Sequence, residues 1–168
     1  MKYLIVVDMQ VDFITGSLGS AQAQAIVPKV KELVEDFDGT VFFTRDTHGP
    51  GYLRTQEGQK LPMEHCIQGT PGWQICPELQ PIASNIVDKL CFGSISLPRL
   101  LAQNGTPESI TLCGLCTDIC VISNAMILKS AFPETPIYIE SGCCAGVTEQ
   151  SHQTALDAMR AVQIEVLP

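Results

Sequence analysis

At 168 residues the chain has the size of one ordinary domain, long enough to bury about two-thirds of its unfolded surface. Apolar residues make up 45% and charged residues 17%, a balance that excludes a disordered chain. A formal net charge of -8 and the absence of a basic stripe exclude a nucleic-acid binder, which must neutralise phosphates.

The first strand is expected over Tyr3 to Val7, a continuous apolar run that ends abruptly at Asp8. A helical pattern follows over Ala25 to Asp36, with Pro28 placed in its first turn, where a missing N–H does no harm. The second strand, Thr40 to Thr44, leads into Asp46 and His48. From Asp46 to Ser84 the chain is rich in Gly and Pro, shows little regular pattern, and carries two of the three histidines, His48 and His65. Loops of such length inside a compact domain are usually functional. A third strand over Asn85 to Asp88 delivers Lys89, and a helix is expected over Leu97 to Gln103. The fourth strand, Ser109 to Cys113, runs into a turn and a helix over Asp118 to Ser130. Strand Pro136 to Glu140, helix Glu149 to Val162 and strand Gln163 to Leu167 complete the chain. Strands alternating with helices imply right-handed crossovers, hence a doubly wound α/β fold. We expect a mainly parallel six-stranded sheet with helices on both faces, a three-layer α/β/α arrangement in one domain spanning residues 1–168.

Eight cysteines raise the question of compartment. The opening apolar stretch is too short for a signal peptide, and no run approaches the ~18 apolar residues of a membrane span. Cys91, Cys113 and Cys143 sit in or beside apolar segments, where a free thiol behaves as a small buried hydrophobe. A reduced, cytoplasmic protein without membrane attachment is the expectation.

In a doubly wound sheet, ligands bind at the carboxyl ends of the strands, above all where strand order reverses. Four successive strand ends here deliver Asp8, the Asp46–His48 pair, Lys89 and the segment Cys116 to Cys120 to one rim. In Gly114-Leu115-Cys116-Thr117-Asp118-Ile119-Cys120-Val121, Thr117 is positioned to cap the helix. Cys120 then falls in the first helical turn, where free amides and the helix dipole favour a thiolate and can receive an oxyanion. The alternative for Cys120 alone is a cysteine packed between helix and sheet. Cys113 and Cys116 also fit C-x-x-C, which opens a redox or zinc reading, although no second pair has zinc-finger spacing. Asp8 and Lys89 have plainer readings too, as a turn-capping carboxylate and a solvated amine. A charge at the end of a buried strand is costly unless paired, which favours pairing these two.

Five motifs occur in order: Asp8-Met-Gln10-Val-Asp12-Phe13, Thr44-Arg-Asp46-Thr-His48, His65-Cys-Ile-Gln-Gly69-Thr70-Pro-Gly72, Asp88-Lys89, and Gly114 to Val121. Together they give the chain a resemblance to isochorismatase-like cysteine hydrolases, most closely to their nicotinamidase branch, over nearly its whole length. The resemblance implies a hydrolase cleaving a linear amide through a thioester, with Cys120 as nucleophile, Asp8 as proton acceptor and Lys89 balancing the charges. It implies backbone amides of Cys116 and Cys120 as the oxyanion hole, and a cis peptide between Leu115 and Cys116. It also implies a divalent ion, zinc first and iron or manganese next, held by Asp46, His48 and His65, with Glu57 as a further ligand and Glu64 as the rival for that place. Phe13, Phe92 and Leu115 are the expected walls for an aromatic amide, whereas Trp73 has the alternative task of packing the loop down. Where many nicotinamidases have an aromatic before the histidine matching His65, this chain has Leu61-Pro62-Met63, so a related amide stays open beside nicotinamide. Members of that family commonly self-associate, which raises a homo-oligomer. The other readings carried forward are a metal-independent N-carbamoyl amide hydrolase, an isochorismatase-type hydrolase and, outside enzymes, a redox or binding module. His152 is expected to be a surface or packing residue.

Overall fold

The computed structural model describes all of residues 1–168. Six strands, β1 (Lys2–Val7), β2 (Thr40–Asp46), β3 (Ile86–Lys89), β4 (Ser109–Leu115), β5 (Ile137–Ala145) and β6 (Glu165–Leu167), form one sheet in the order β3-β2-β1-β4-β5-β6. Every pairing is parallel. Five of the six residues of β1 are buried, because a central parallel strand is covered on both faces. The helices are α1 (Val11–Ile14), α2 (Ala21–Asp36), α3 (Gln56–Lys60), α4 (Leu97–Leu101), α5 (Ile122–Ala131) and α6 (Glu149–Ala161). No helix is long and apolar enough to cross a membrane.

α2 begins four residues before the expected Ala25, because Ser20 caps it by accepting the Ala23 amide at 3.0 Å. Pro28 therefore lies in the helix interior and not in the first turn. It sits on the exposed side, away from the buried stripe Ala23, Ile26, Val27, Val30 and Val34, so the lost bond to the Gln24 carbonyl faces water. α6 has the opposite kind of start, with Thr148 and Ser151 satisfying each other's amides reciprocally.

The strand order reverses between β1 and β4. Both chains must diverge there, and Gly114 permits it: its φ is +110°, and a Cβ would collide with the Val7 carbonyl oxygen. Asp8, just beyond β1, is itself left-handed at φ +48°, a conformation aspartate tolerates better than most residues. The crevice at this switch is where the polar residues meet.

Candidate active site

Register places the first pair. Asp46 and Lys89 are the last residues of β2 and β3 and stand directly opposite each other. Lys89 Nζ lies 2.6 Å from Asp8 Oδ2, 3.3 Å from Asp46 Oδ1 and 3.5 Å from Cys120 Sγ, and it donates to the Cys91 carbonyl at 3.1 Å. The ammonium is thus enclosed by two carboxylates, a thiol and a carbonyl, with its side chain 1% exposed. Burial pushes the lysine toward the neutral form, but Asp8, Cys120 and Asp46 outweigh it and raise its pKa. Thr44 fixes the carboxylate: its hydroxyl donates to Asp8 Oδ1 at 2.6 Å and accepts the Asp8 amide at 3.2 Å. Oδ2 has no well-aligned hydrogen bond of its own, so a lone pair remains for a proton. Burial raises the Asp8 pKa, with the Lys89 charge as the main counterweight.

Cys120 does not sit in an ordinary first helical turn. Thr117–Val121 forms a π-type turn ahead of α5. The Ile119 and Val121 amides both donate to the Cys116 carbonyl, at 3.1 and 3.0 Å. The Cys120 amide, which regular α-helical bonding would tie to that same oxygen, is bypassed. Thr117 does not cap the turn either; its hydroxyl is bonded to His152 Nδ1 at 2.7 Å. The Leu115–Cys116 peptide is cis, as expected. Burial and the nearby Asp8 carboxylate raise the Cys120 pKa, against the Lys89 charge. Burial thus works against the thiolate that a first-turn position suggested, and a base beside the sulfur favours the nucleophilic form.

The second cluster shares Asp46 with the first. His48 Nε2 lies 2.9 Å from Asp46 Oδ2 and 3.5 Å from Glu57 Oε1, while His65 Nε2 lies 3.6 Å from each of those oxygens. Asp46, His48, Glu57 and His65 offer donor atoms that all lie within 4.8 Å of one another. Donors ~2.1 Å from a tetrahedral ion stand roughly 3.4 Å apart, so two imidazoles and two carboxylates at these separations fit a divalent cation. His65 Nδ1 contacts the Met63 carbonyl at 2.9 Å, which turns Nε2 toward Asp46 and Glu57. Burial lowers the His65 pKa, but hydrogen bonds to Asp46 and Glu57 prevail and hold it at about 10. Glu57 is delivered by α3, whose cap Thr55 accepts the Gly58 amide at 3.0 Å. Glu64 is exposed and stays outside the cluster.

Both clusters open into one cavity of about 610 Å³, lined among others by Phe13, Phe92, Leu115, Cys116, Cys120, Asp46, Glu57 and His65. Phe13 packs at 5.5 Å from the His65 ring. Leu61 and Met63 stand at its mouth, about two-fifths exposed. Trp73 takes no part in the lining; its Nε1 donates to Thr47 and its ring lies under the Arg45 guanidinium, which holds the loop against β2. Cys113 is sealed in the sheet, which removes it from any surface C-x-x-C pair.

Several buried or half-buried polar residues support these side chains without having been given a role in sequence. Gln10 clamps Asp46 from both backbone sides, accepting its amide at 2.7 Å and donating to its carbonyl at 2.9 Å. Asp12 accepts the amide of Cys66, next to His65, at 2.8 Å. Tyr52 is buried with its ring 4.7 Å from His48 and 4.9 Å from His65. Asn124 binds the Cys120 carbonyl at 2.8 Å and the Ser94 amide at 2.9 Å. Gln10 and Asp12 lay inside a quoted motif, and Asn124 lies four residues after Cys120, one helical turn on; those offsets were the available signals.

The chain is similar to known proteins over nearly its whole length. The chain is 28% identical over 187 residues to the nicotinamidase/pyrazinamidase of Mycobacterium tuberculosis, covering 99% of this chain and 98% of that protein. It is 26% identical over 205 residues to the nicotinamidase of Schizosaccharomyces pombe, covering 98% and 91%. Among solved structures, the pyrazinamidase of Pyrococcus horikoshii in complex with zinc superposes with a TM-score of 0.86 at 27% identity, over 99% of this chain and 98% of that one. The Isochorismatase domain model matches residues 2–168, and by that match, over the fold and crevice just described, this chain belongs to the isochorismatase family.

Proposed function

We propose that the protein, acting as one domain over residues 1–168, is a cysteine amidohydrolase of nicotinamidase type, converting nicotinamide or a close aromatic carboxamide to the acid and ammonia. The observation that carries this reading is the contact of Lys89 Nζ with both Asp8 Oδ2 and Cys120 Sγ at the wall of the cavity. Asp8 takes the thiol proton at Oδ2 as Cys120 Sγ forms a bond to the amide carbon. The carbonyl oxygen gains the electron pair and is received by the Cys116 and Cys120 amides. The pair returns, the carbon–nitrogen bond breaks, and Asp8 gives its proton to the departing nitrogen, releasing ammonia. Water then adds to the thioester as Asp8 takes its proton, the carbonyl re-forms as the carbon–sulfur bond breaks, and Asp8 returns that proton to the sulfur to restore the thiol. Lys89 stays charged throughout and offsets whichever neighbour is anionic.

Asp46, His48, Glu57 and His65 would hold a divalent ion, zinc by the donor set, with iron or manganese as the other candidates. When bound, that ion supplies a Lewis-acid anchor for a ring nitrogen. Phe13, Phe92 and Leu115 supply the apolar walls that hold the ring and exclude water from Cys120. We assign the protein to the cytoplasm, a reading supported by eight free cysteines.

The test is ammonia release from nicotinamide by purified protein. Loss of release in Cys120→Ala and a marked fall after chelation are expected. Release indifferent to chelation would move the assignment to a metal-independent N-carbamoyl hydrolase, and no release from any amide in a small panel would overturn the enzyme reading.

A further inference from the structure

We infer that His152 is a positioning residue for the nucleophile, holding the turn of Cys120 through the buried hydroxyl of Thr117; this rests on the cysteine-hydrolase reading above. Thr117 is fully buried, and a buried hydroxyl must find a partner. It caps nothing, and the partner it has is His152 Nδ1, at 2.7 Å and thirty-five residues away in sequence. His152 stands in the first turn of α6, where its amide is bound to the Thr148 carbonyl at 3.0 Å and the reciprocal Thr148–Ser151 cap fixes the helix start. A second bond runs parallel to the first, from the Val147 amide to Asp118 Oδ1 at 3.1 Å. Gly146 leaves room for His152 against its own lead-in segment, since a Cβ there would lie 2.8 Å from the His152 Cβ. The start of α6, the cavity-lining pair Gly146–Val147 and the Cys120 turn are thereby joined.

The join bears on chemistry because of the shape of the turn. π-type turns are rare and depend on their surroundings. Released from His152, the Thr117–Val121 segment can relax toward regular helical bonding, in which the Cys120 amide donates to the Cys116 carbonyl. That amide is then withdrawn from the oxyanion, a loss felt in the chemical step and not in ground-state binding.

His152→Ala is therefore expected to lower kcat by on the order of 10- to 100-fold, part of what losing a whole oxyanion donor costs, with KM held within about twofold. His152→Asn, whose amide can meet the Thr117 hydroxyl near the place of Nδ1, should recover most of the rate. Thr117→Val should match His152→Ala, and the double variant should be no worse than either single one. A readout without turnover is the affinity for pyridine-3-carbaldehyde, to which the thiol adds to give a hemithioacetal oxygen in the same hole; it should weaken in parallel. Wild-type protein that neither releases ammonia nor binds the aldehyde would defeat the hydrolase reading itself. Active wild-type protein with a folded His152→Ala or Thr117→Val variant at the wild-type kcat and aldehyde affinity would overturn the positioning role, as would equal loss in His152→Asn and His152→Ala.

Discussion

Replacing Lys89 with methionine keeps the length of the side chain and removes the charge on which both clusters lean. At an effective dielectric constant of about 20, the 2.6 Å contact with Asp8 and the 3.3 Å contact with Asp46 are worth about 6 and about 5 kcal/mol of attraction. Desolvation of the buried ammonium opposes most of that. The net cost of stripping one partner from such a pair is about 3–5 kcal/mol, against a total stability of about 5–15 kcal/mol for a typical domain. For a chain of this size each kcal/mol moves Tm by about 2–4 °C, so Lys89→Met should melt roughly 10 °C below wild type at neutral pH and lose at least ~100-fold in turnover. The pH dependence has a definite sign. With Lys89 gone, the burial that already raises the Asp8 pKa has lost its main counterweight. The folded state then holds the Asp8 proton more tightly than the unfolded chain does. That contribution is full below the unfolded-state pKa and fades as pH rises through the folded-state one, so the deficit in Tm should narrow on acidification. Calorimetry of both proteins across a pH series, with ammonia release measured alongside, reads all three quantities. A variant melting within about 2 °C of wild type at pH 7 and still turning over would show that Lys89 is not enclosed by the acid and the thiol.

Two further outcomes follow from the same charges. Because Asp8 must be ionised to take the thiol proton and burial raises its pKa above the usual 3.8, kcat/KM should fall on the acid side with an inflection displaced upward from an ordinary carboxylate; an inflection at or below 3.8 would contradict that placement. At His65, burial is overcome by Asp46 and Glu57, and the metal-free imidazole keeps its proton up to about pH 10. Ion affinity should rise with pH, and binding near pH 7 should release about one proton, measurable by titration calorimetry in buffers of different ionisation enthalpy; a proton count of zero would remove His65 from the ligand set.

What could be read from sequence was what parallel sheets enforce. A strand buried on both faces announces itself as a continuous apolar run, and a charged residue ending it is exposed as an anomaly. Asp8, Asp46, Lys89 and Cys120 were therefore visible one at a time. The pairing of Asp8 with Lys89 followed from the cost of leaving either charge alone; that of Asp46 with Lys89 did not, because it depends on register: the two meet across forty-three residues only because β2 and β3 align at those positions. Local periodicity also misjudged two turns. Pro28 suggested a helix start, while the cap that decides the start was Ser20, eight residues earlier. Thr117 had the spacing of a cap, but its hydroxyl was claimed by a histidine on a distant helix. Glu57 was legible only as a choice against Glu64, and Thr55, which caps the short helix carrying it, settles which carboxylate reaches the histidines.

Asp46 is the residue through which the two clusters become one. Its Oδ1 faces Lys89 and its Oδ2 faces His48, while Gln10 grips its amide and carbonyl. Both oxygens and both backbone groups are committed, so the carboxylate cannot rotate to serve one cluster without abandoning the other. Hydrogen bonds from His48 and His65 and the Lys89 charge overcome burial and keep it well below the usual carboxylate range. Asp8 and Asp46 face one ammonium and Glu57 joins Asp46 at the imidazoles, so the excess of negative charge must be matched by protons on the imidazoles or by a cation. A hydrolase of the metal-independent kind needs Asp8, Lys89 and Cys120 but has no use for an added carboxylate flanked by two inward-facing imidazoles. That surplus of donors, lining the same cavity as the thiol, is the physical reason to prefer a substrate with two points of attachment: an amide at one end and a basic ring atom at the other.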